Sequence, residues 1–191
     1  MTASRPETLI SVDVETSGPT PAAYSLLSIG ACLVDDPGSS FSVELAPVTD
    51  AADPAALAVS GLSMEQLAAE GTPAADAMRL FADWVDAATP DGSVPVFVAF
   101  NAVFDWMFVD AYFHRFLGRN PFGHSALDIK AYYMGRAASS WAQTSMRVLS
   151  PLYLEGRSLA HNALGDARDQ AELFRRIRDD ARRADEGAHS D

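Results

Sequence analysis

Residues 9–18 read Leu9-Ile10-Ser11-Val12-Asp13-Val14-Glu15-Thr16-Ser17-Gly18. An apolar run of this length, closed by a Thr-Ser-Gly turn, predicts a buried strand with Asp13 and Glu15 at its end. Side chains two apart on a strand share a face, so the two carboxylates stand side by side at the edge of a core. They repel there unless a cation lies between them. Hard divalent ions such as Mg²⁺ or Mn²⁺ suit the pair, because they take oxygen ligands and keep positions for water and phosphate.

The chain around this strand has an α/β order. Residues 8–15, 25–35 and 41–46 are apolar or alternating runs broken by Gly18-Pro19, Pro21 and Asp36-Pro37-Gly38, which predicts three strands in an antiparallel meander. Segments 54–60 and 63–70 predict short helices. A longer amphipathic helix is expected over 73–88, with Ala77, Leu80, Phe81, Trp84 and Val85 on its apolar face. The run PVFVAF at 95–100 predicts a fourth strand, and 102–117 has helical spacing. Residues 125–134 read as a short strand or the start of a helix. A helix over 162–183 closes the order, with Ala167, Ala171, Phe174, Ile177 and Ala181 in one stripe. The expectation is a single domain over 1–183, with 184–191 a small, polar, disordered tail.

Composition fits that expectation. At 191 residues and 48% hydrophobic content, the chain can bury one sizeable core. Its single cysteine, Cys32, lies in the apolar run SLLSIGACLV and reads as a buried structural thiol. The start MTASRPETLI has no signal-peptide pattern and no segment is apolar enough to span a bilayer, so a cytoplasmic protein without a membrane partner is expected. The 26 acidic residues outnumber the 14 basic ones, for a net charge of −12. Such a surface repels a long duplex but permits a small site that grips one strand end through metals, stacking and a few arginines.

Two further segments carry candidate chemistry. Asp105, in Asn101-Ala102-Val103-Phe104-Asp105, lies near the start of a helix that follows a buried strand, the end of an α/β sheet where ligands bind. Asp110 and His114, further along, read as solvated or partner-facing. In the run HNALGDARDQAELF, His161 falls on the loop entering the last helix and Asp166 in its first turns, so both can reach one site. A histidine there titrates near neutral pH and can take a proton from a water.

Taken in order, DxE, NAxFD and HNAxxDA resemble the motifs of the DnaQ-like 3′-5′ exonucleases, in the DEDDh branch, over residues 8 to 178. The resemblance implies a ribonuclease-H-like fold, a five-stranded mixed sheet of three antiparallel strands followed by parallel ones, flanked by helices. It also implies two divalent ions, Mg²⁺ or Mn²⁺. By matching position, Asp13 is the bridging ligand, Glu15 and Asp166 hold the nucleophile-side ion, Asp105 ligates partly through water, and His161 is the general base. Thr16, Ser17 and Gly18 match the segment that lies against the 3′-terminal nucleotide, and Asn101 and Phe104 belong to the matched second motif as substrate-binding residues.

The sequence departs from the pattern at Phe100, where many relatives carry histidine, at Pro19, where an aromatic is expected, and at Gly165 before the last aspartate. Arg119-Asn120-Pro121-Phe122 is similar to a segment of the ribonuclease T branch, which offers Phe122 beside Phe104 for base stacking. The implied activity is release of nucleoside 5′-monophosphates from single-stranded DNA or RNA 3′ ends. The implied setting is a free enzyme, a homodimer, or a polymerase-type partnership. The alternative is the same fold serving as a binding module in a replication or RNA-processing assembly.

Overall fold

The computed structural model describes residues 5–157 and 162–188. Three strands open the chain: β1 (Glu7–Thr16), β2 (Leu26–Leu33) and β3 (Ser40–Glu44). They pair antiparallel in sequence, as the meander predicts. Helices α1 (Pro54–Ser60), α2 (Met64–Glu70) and α3 (Ala74–Ala88) lead to β4 (Val94–Ala99), helix α4 (Ala102–Leu117) and the short β5 (Ala126–Asp128). The sheet order is β3-β2-β1-β4-β5, with β1, β4 and β5 parallel. Helix α5 (Ile129–Ala137) follows, then a 3₁₀ turn (Trp141–Thr144), α6 (Met146–Tyr153) and the long α7 (Ala163–Ala188). This is the five-stranded mixed sheet of the ribonuclease-H-like fold.

Alternation along β1 explains the layers. Ile10, Val12 and Val14 point into one core with α3 and α4, built around Met78, Phe81, Phe108 and Phe113. Leu9 faces the opposite core, where Phe174 and Ile177 of α7 pack on Cys32, Val98 and Ile129. Asp13 and Glu15 share Leu9's parity and therefore the α7 side of the sheet. Cys32 is fully buried and donates its thiol to the Ala167 carbonyl at 3.6 Å; burial pushes its pKa up to about 11.

Several expectations change. The last helix continues to Ala188, so residues 184–188 are helical where the sequence reading placed the start of a tail. Ala184, Asp185 and Glu186 carry no helix breaker. Leu80 leaves the apolar stripe of α3 and is half exposed, while Met78 takes the core position. No element is expected from the sequence between residues 135 and 160, where the 3₁₀ turn and α6 lie. Buried Leu149 and Leu154 anchor that segment against α7. The 125–134 segment resolves into both of its alternatives, β5 and then α5. None of the described helices is long and apolar enough to cross a membrane.

Candidate active site

The parallel strands β1, β4 and β5 end on one edge of the sheet, and the candidate residues gather there. Asp13 and Glu15 come from the last residues of β1, and Asp166 from the first turn of α7. One carboxylate oxygen from each of these three lies within 4.8 Å of the others.

Local sequence explains how α7 arrives. Gly30 of β2 is the ladder partner of Asp13, and a Cβ at position 30 would come within 2.1 Å of the Ala163 backbone. Only a residue without a side chain lets the helix start so close to the sheet. Asn162 caps that start, its Oδ1 accepting from the Gly165 N–H at 3.1 Å and its carbonyl from Asp166 N–H at 2.8 Å. Gly165 is thus held by a cap. Arg168 and Arg178 tie the same helix to Ser40 at the start of β3 and to Asp35 just after β2.

Asp105 stands outside the trio. It is buried in the first turn of α4, and its Oδ1 accepts from Val14 N–H at 3.1 Å, which fixes it to the strand between the other two carboxylates. Burial pushes its pKa up to about 8. The Asp13 carboxyl is pushed well above the usual carboxylate range, first by burial and then by repulsion from Asp105, Asp166 and Glu15. A hard cation would reverse that shift, and an all-oxygen, all-anionic donor set is the one Mg²⁺ or Mn²⁺ takes.

Sequence reasoning missed Gln170. It is 2% exposed and bridges β1 and the turn after β4: its Nε2 donates to Asp13 Oδ1 at 2.5 Å, while its Oε1 accepts from Phe100 N–H at 2.8 Å. The backbone bond fixes the flip of the amide, so that its donor end faces the aspartate. Its position one helical turn after Asp166 was the available signal. Asp128 plays a similar part for the second motif, its Oδ2 accepting from Ala102 N–H at 2.6 Å and its Oδ1 from Ala131 N–H at 2.7 Å.

The remaining sequence candidates fall as follows. Thr16 and Ser17 are buried; Thr16 donates to the Gly18 carbonyl, and the Ser17 hydroxyl donates to Ala51 and accepts from Ser25 N–H. The Ser17 backbone is engaged as well, its N–H donating to the Ser25 carbonyl at 2.8 Å and its carbonyl accepting from Asp53 N–H at 2.7 Å. Gly18 lies against the Tyr24 ring. Asn101 adopts a left-handed conformation (φ 65°) and caps α4 through its carbonyl, which accepts from Phe104 N–H. The Phe104 ring is partly buried against Phe108. Phe122 is core, packed among Phe81, Phe97 and Phe113, and so is not placed for stacking a base. Its neighbours Arg119 and Asn120 bond Asp86 and Asp110. His161 lies outside the described residues.

A five-stranded sheet in this order, carrying acidic residues of β1, α4 and α7 at one edge, defines a ribonuclease-H-like nuclease domain. The chain belongs to the DnaQ-like 3′-5′ exonuclease family. It is 47% identical over 171 residues to the 3′-5′ DNA exonuclease Cap18 of Escherichia coli, spanning 90% of this chain and 91% of that protein. No family model matches the chain. Among solved structures, E. coli Exonuclease I in complex with a dT13 oligonucleotide aligns with a TM-score of 0.70 at 19% identity, covering 90% of this chain and 41% of that one. The nuclease domain of 3′hExo, a DEDDh family member bound to rAMP, aligns at 0.68 and 13% identity, covering 93% of both chains. At these identities the two structures speak to the fold.

Proposed function

We propose that the protein is a metal-dependent 3′-5′ exonuclease that removes nucleoside 5′-monophosphates from single-stranded DNA. The observation that carries this reading is the convergence of Asp13, Glu15 and Asp166 within 4.8 Å of one another, at the C-terminal ends of the parallel strands. The choice of DNA rests on the 47% identity to a DNA exonuclease.

Asp13, Glu15, Asp105 and Asp166 would hold two divalent ions, Mg²⁺ or Mn²⁺. When bound, such ions supply positive charge to the scissile phosphate and leaving oxygen and lower the pKa of the attacking water. The chain's own residues do the rest. Gln170 holds Asp13 in one orientation from a bond anchored on the Phe100 backbone, just past β4. Val14 N–H does the same for Asp105. His161, adjacent in sequence to the cap residue Asn162, takes the proton from water as its oxygen bonds to phosphorus. The bond from phosphorus to the 3′-oxygen of the penultimate nucleotide breaks, so the phosphate leaves on the 5′ carbon of the released nucleotide. Thr16, Ser17 and Gly18, with Asn101 and Phe104, would line the terminal nucleotide.

Product identity tests this chemistry. Digestion of an oligonucleotide labelled in its last nucleotide should release a 5′-monophosphate. Release of a 3′-phosphate, or of internal fragments, would contradict it.

A further inference from the structure

Lys130 is the only lysine in a chain of net charge −12, and its charge, like that of Arg115 over Phe116, rests on aromatic rings. Arg79, Arg119, Arg157, Arg176, Arg178 and Arg183 all pair with carboxylates. The Lys130 ammonium instead sits over aromatic rings, 4.1 Å from the centroid of Trp141 and 5.8 Å from that of Phe100. Among the described residues no carboxylate pairs with it.

Its location matters as much as its partners. Lys130 is the second residue of α5, directly after β5, at the same edge of the sheet as Asp13 and Asp105. Phe100, beneath it, gives its N–H to Gln170, which in turn bonds Asp13. The cation is therefore linked to the carboxylate cluster through Phe100, by its ring and its backbone N–H, and then through the Gln170 side chain.

Trp141 is 53% exposed, unusual for so large an apolar side chain. Its backbone is nonetheless firmly set. Ser140 and Gln143 form a capping box around the 3₁₀ turn, and the buried Thr144 hydroxyl donates to the Trp141 carbonyl at 2.8 Å. A pinned backbone that presents an indole to solvent beside an ammonium is suited to a base and its phosphate. The base has ring area to stack on, and the ammonium retains donors for a phosphate oxygen.

We infer that Lys130 and Trp141 form a strand-binding site for a single-stranded polynucleotide, next to the carboxylate cluster. The inference deepens the exonuclease reading and rests on it for the strand's orientation. The local chemistry favours this occupant against the acidic surface as a whole: an exposed ring and a cation not engaged by a carboxylate stand together at the site's edge, and an anionic, base-bearing chain can use both.

Equilibrium binding of fluorescently labelled oligothymidylate and oligouridylate to the full chain in Ca²⁺ tests the site apart from turnover. Trp141→Ala should weaken binding roughly 5- to 150-fold, and Trp141→Phe should retain most of it. Lys130→Gln should reduce the slope of log affinity against log salt by about 0.7. Wild-type affinity in Trp141→Ala together with an unchanged salt slope in Lys130→Gln overturns the inference, even if strands are shortened from the 3′ end. Trp141-dependent binding by a protein that shortens no strand keeps the site and discards the exonuclease reading.

Discussion

Gly30 lies opposite Asp13 in the β1–β2 ladder, and the backbone of Ala163 fills the space a side chain at position 30 would need. This close approach brings Asp166 to the end of β1, so a glycine remote from the motifs sets the spacing of the carboxylates. Gly30→Ala should push α7 off the sheet, cost ~1–3 kcal/mol of stability, and lower turnover beyond what partial unfolding explains. Chemical denaturation alongside rates at a temperature where the variant is folded would check this. A stable, fully active variant would show that the helix can shift without disturbing the site.

Gln170→Leu removes the donor to Asp13 and the acceptor for Phe100 N–H together. Leaving those buried groups unpaired should cost ~1–3 kcal/mol. Because Asp13 is then free to rotate, the half-saturating Mg²⁺ or Mn²⁺ concentration should also rise, which a metal titration of thermal stability would detect without any substrate. Unchanged metal dependence would reduce Gln170 to a packing residue.

The carboxylates and the histidine should separate in their effects. Asp13→Ala and Asp166→Ala should abolish turnover and metal-induced stabilisation alike. His161→Ala should keep the metal response and slow hydrolysis by about 10²–10⁴-fold, the scale of a lost general base. A His161→Ala protein of full activity would assign the proton to another group.

Stability of the metal-free protein should depend on pH in a specific direction. Burial raises Asp105 from 3.8 to about 8, and Asp13 is raised as well. A carboxyl with a higher pKa in the folded state binds more protons there than in the unfolded chain. Its stabilising contribution is complete below the unfolded value and is lost as pH rises through the folded one, here between 3.8 and about 8. The melting temperature in chelator should therefore fall from about pH 5 to about pH 8, and added Mg²⁺ should restore it most at the higher pH. A flat profile indifferent to metal would mean that these carboxylates are not strained together.

Strand parity and motif order made much of this legible in advance. Alternation in LISVDVETSG placed Asp13 and Glu15 on one face, and the stripe Ala167, Ala171, Phe174, Ile177 and Ala181 of the closing helix is buried as its spacing implies. Residues whose role depends on contacts distant in sequence were not legible. Gln170 reads as an ordinary polar helix residue until Phe100 and Asp13 are seen on either side of it. Gly30 reads as a small residue in a strand until α7 is laid across it. Phe122 drew attention through a local similarity, yet its ring is claimed by three core phenylalanines. Helix α6 carries Pro151 within it, and the burial of Leu149 and Leu154, which no local pattern announces, holds it in place.

The most direct test of the account follows 5′-labelled single-stranded DNA with Mg²⁺ or Mn²⁺, comparing the wild-type protein with Asp13→Ala. The account predicts a ladder that shortens from the 3′ end with the wild type, none with the variant, and none in chelator. Degradation that survives loss of Asp13, or a wild-type protein inert towards DNA with both metals, would contradict it.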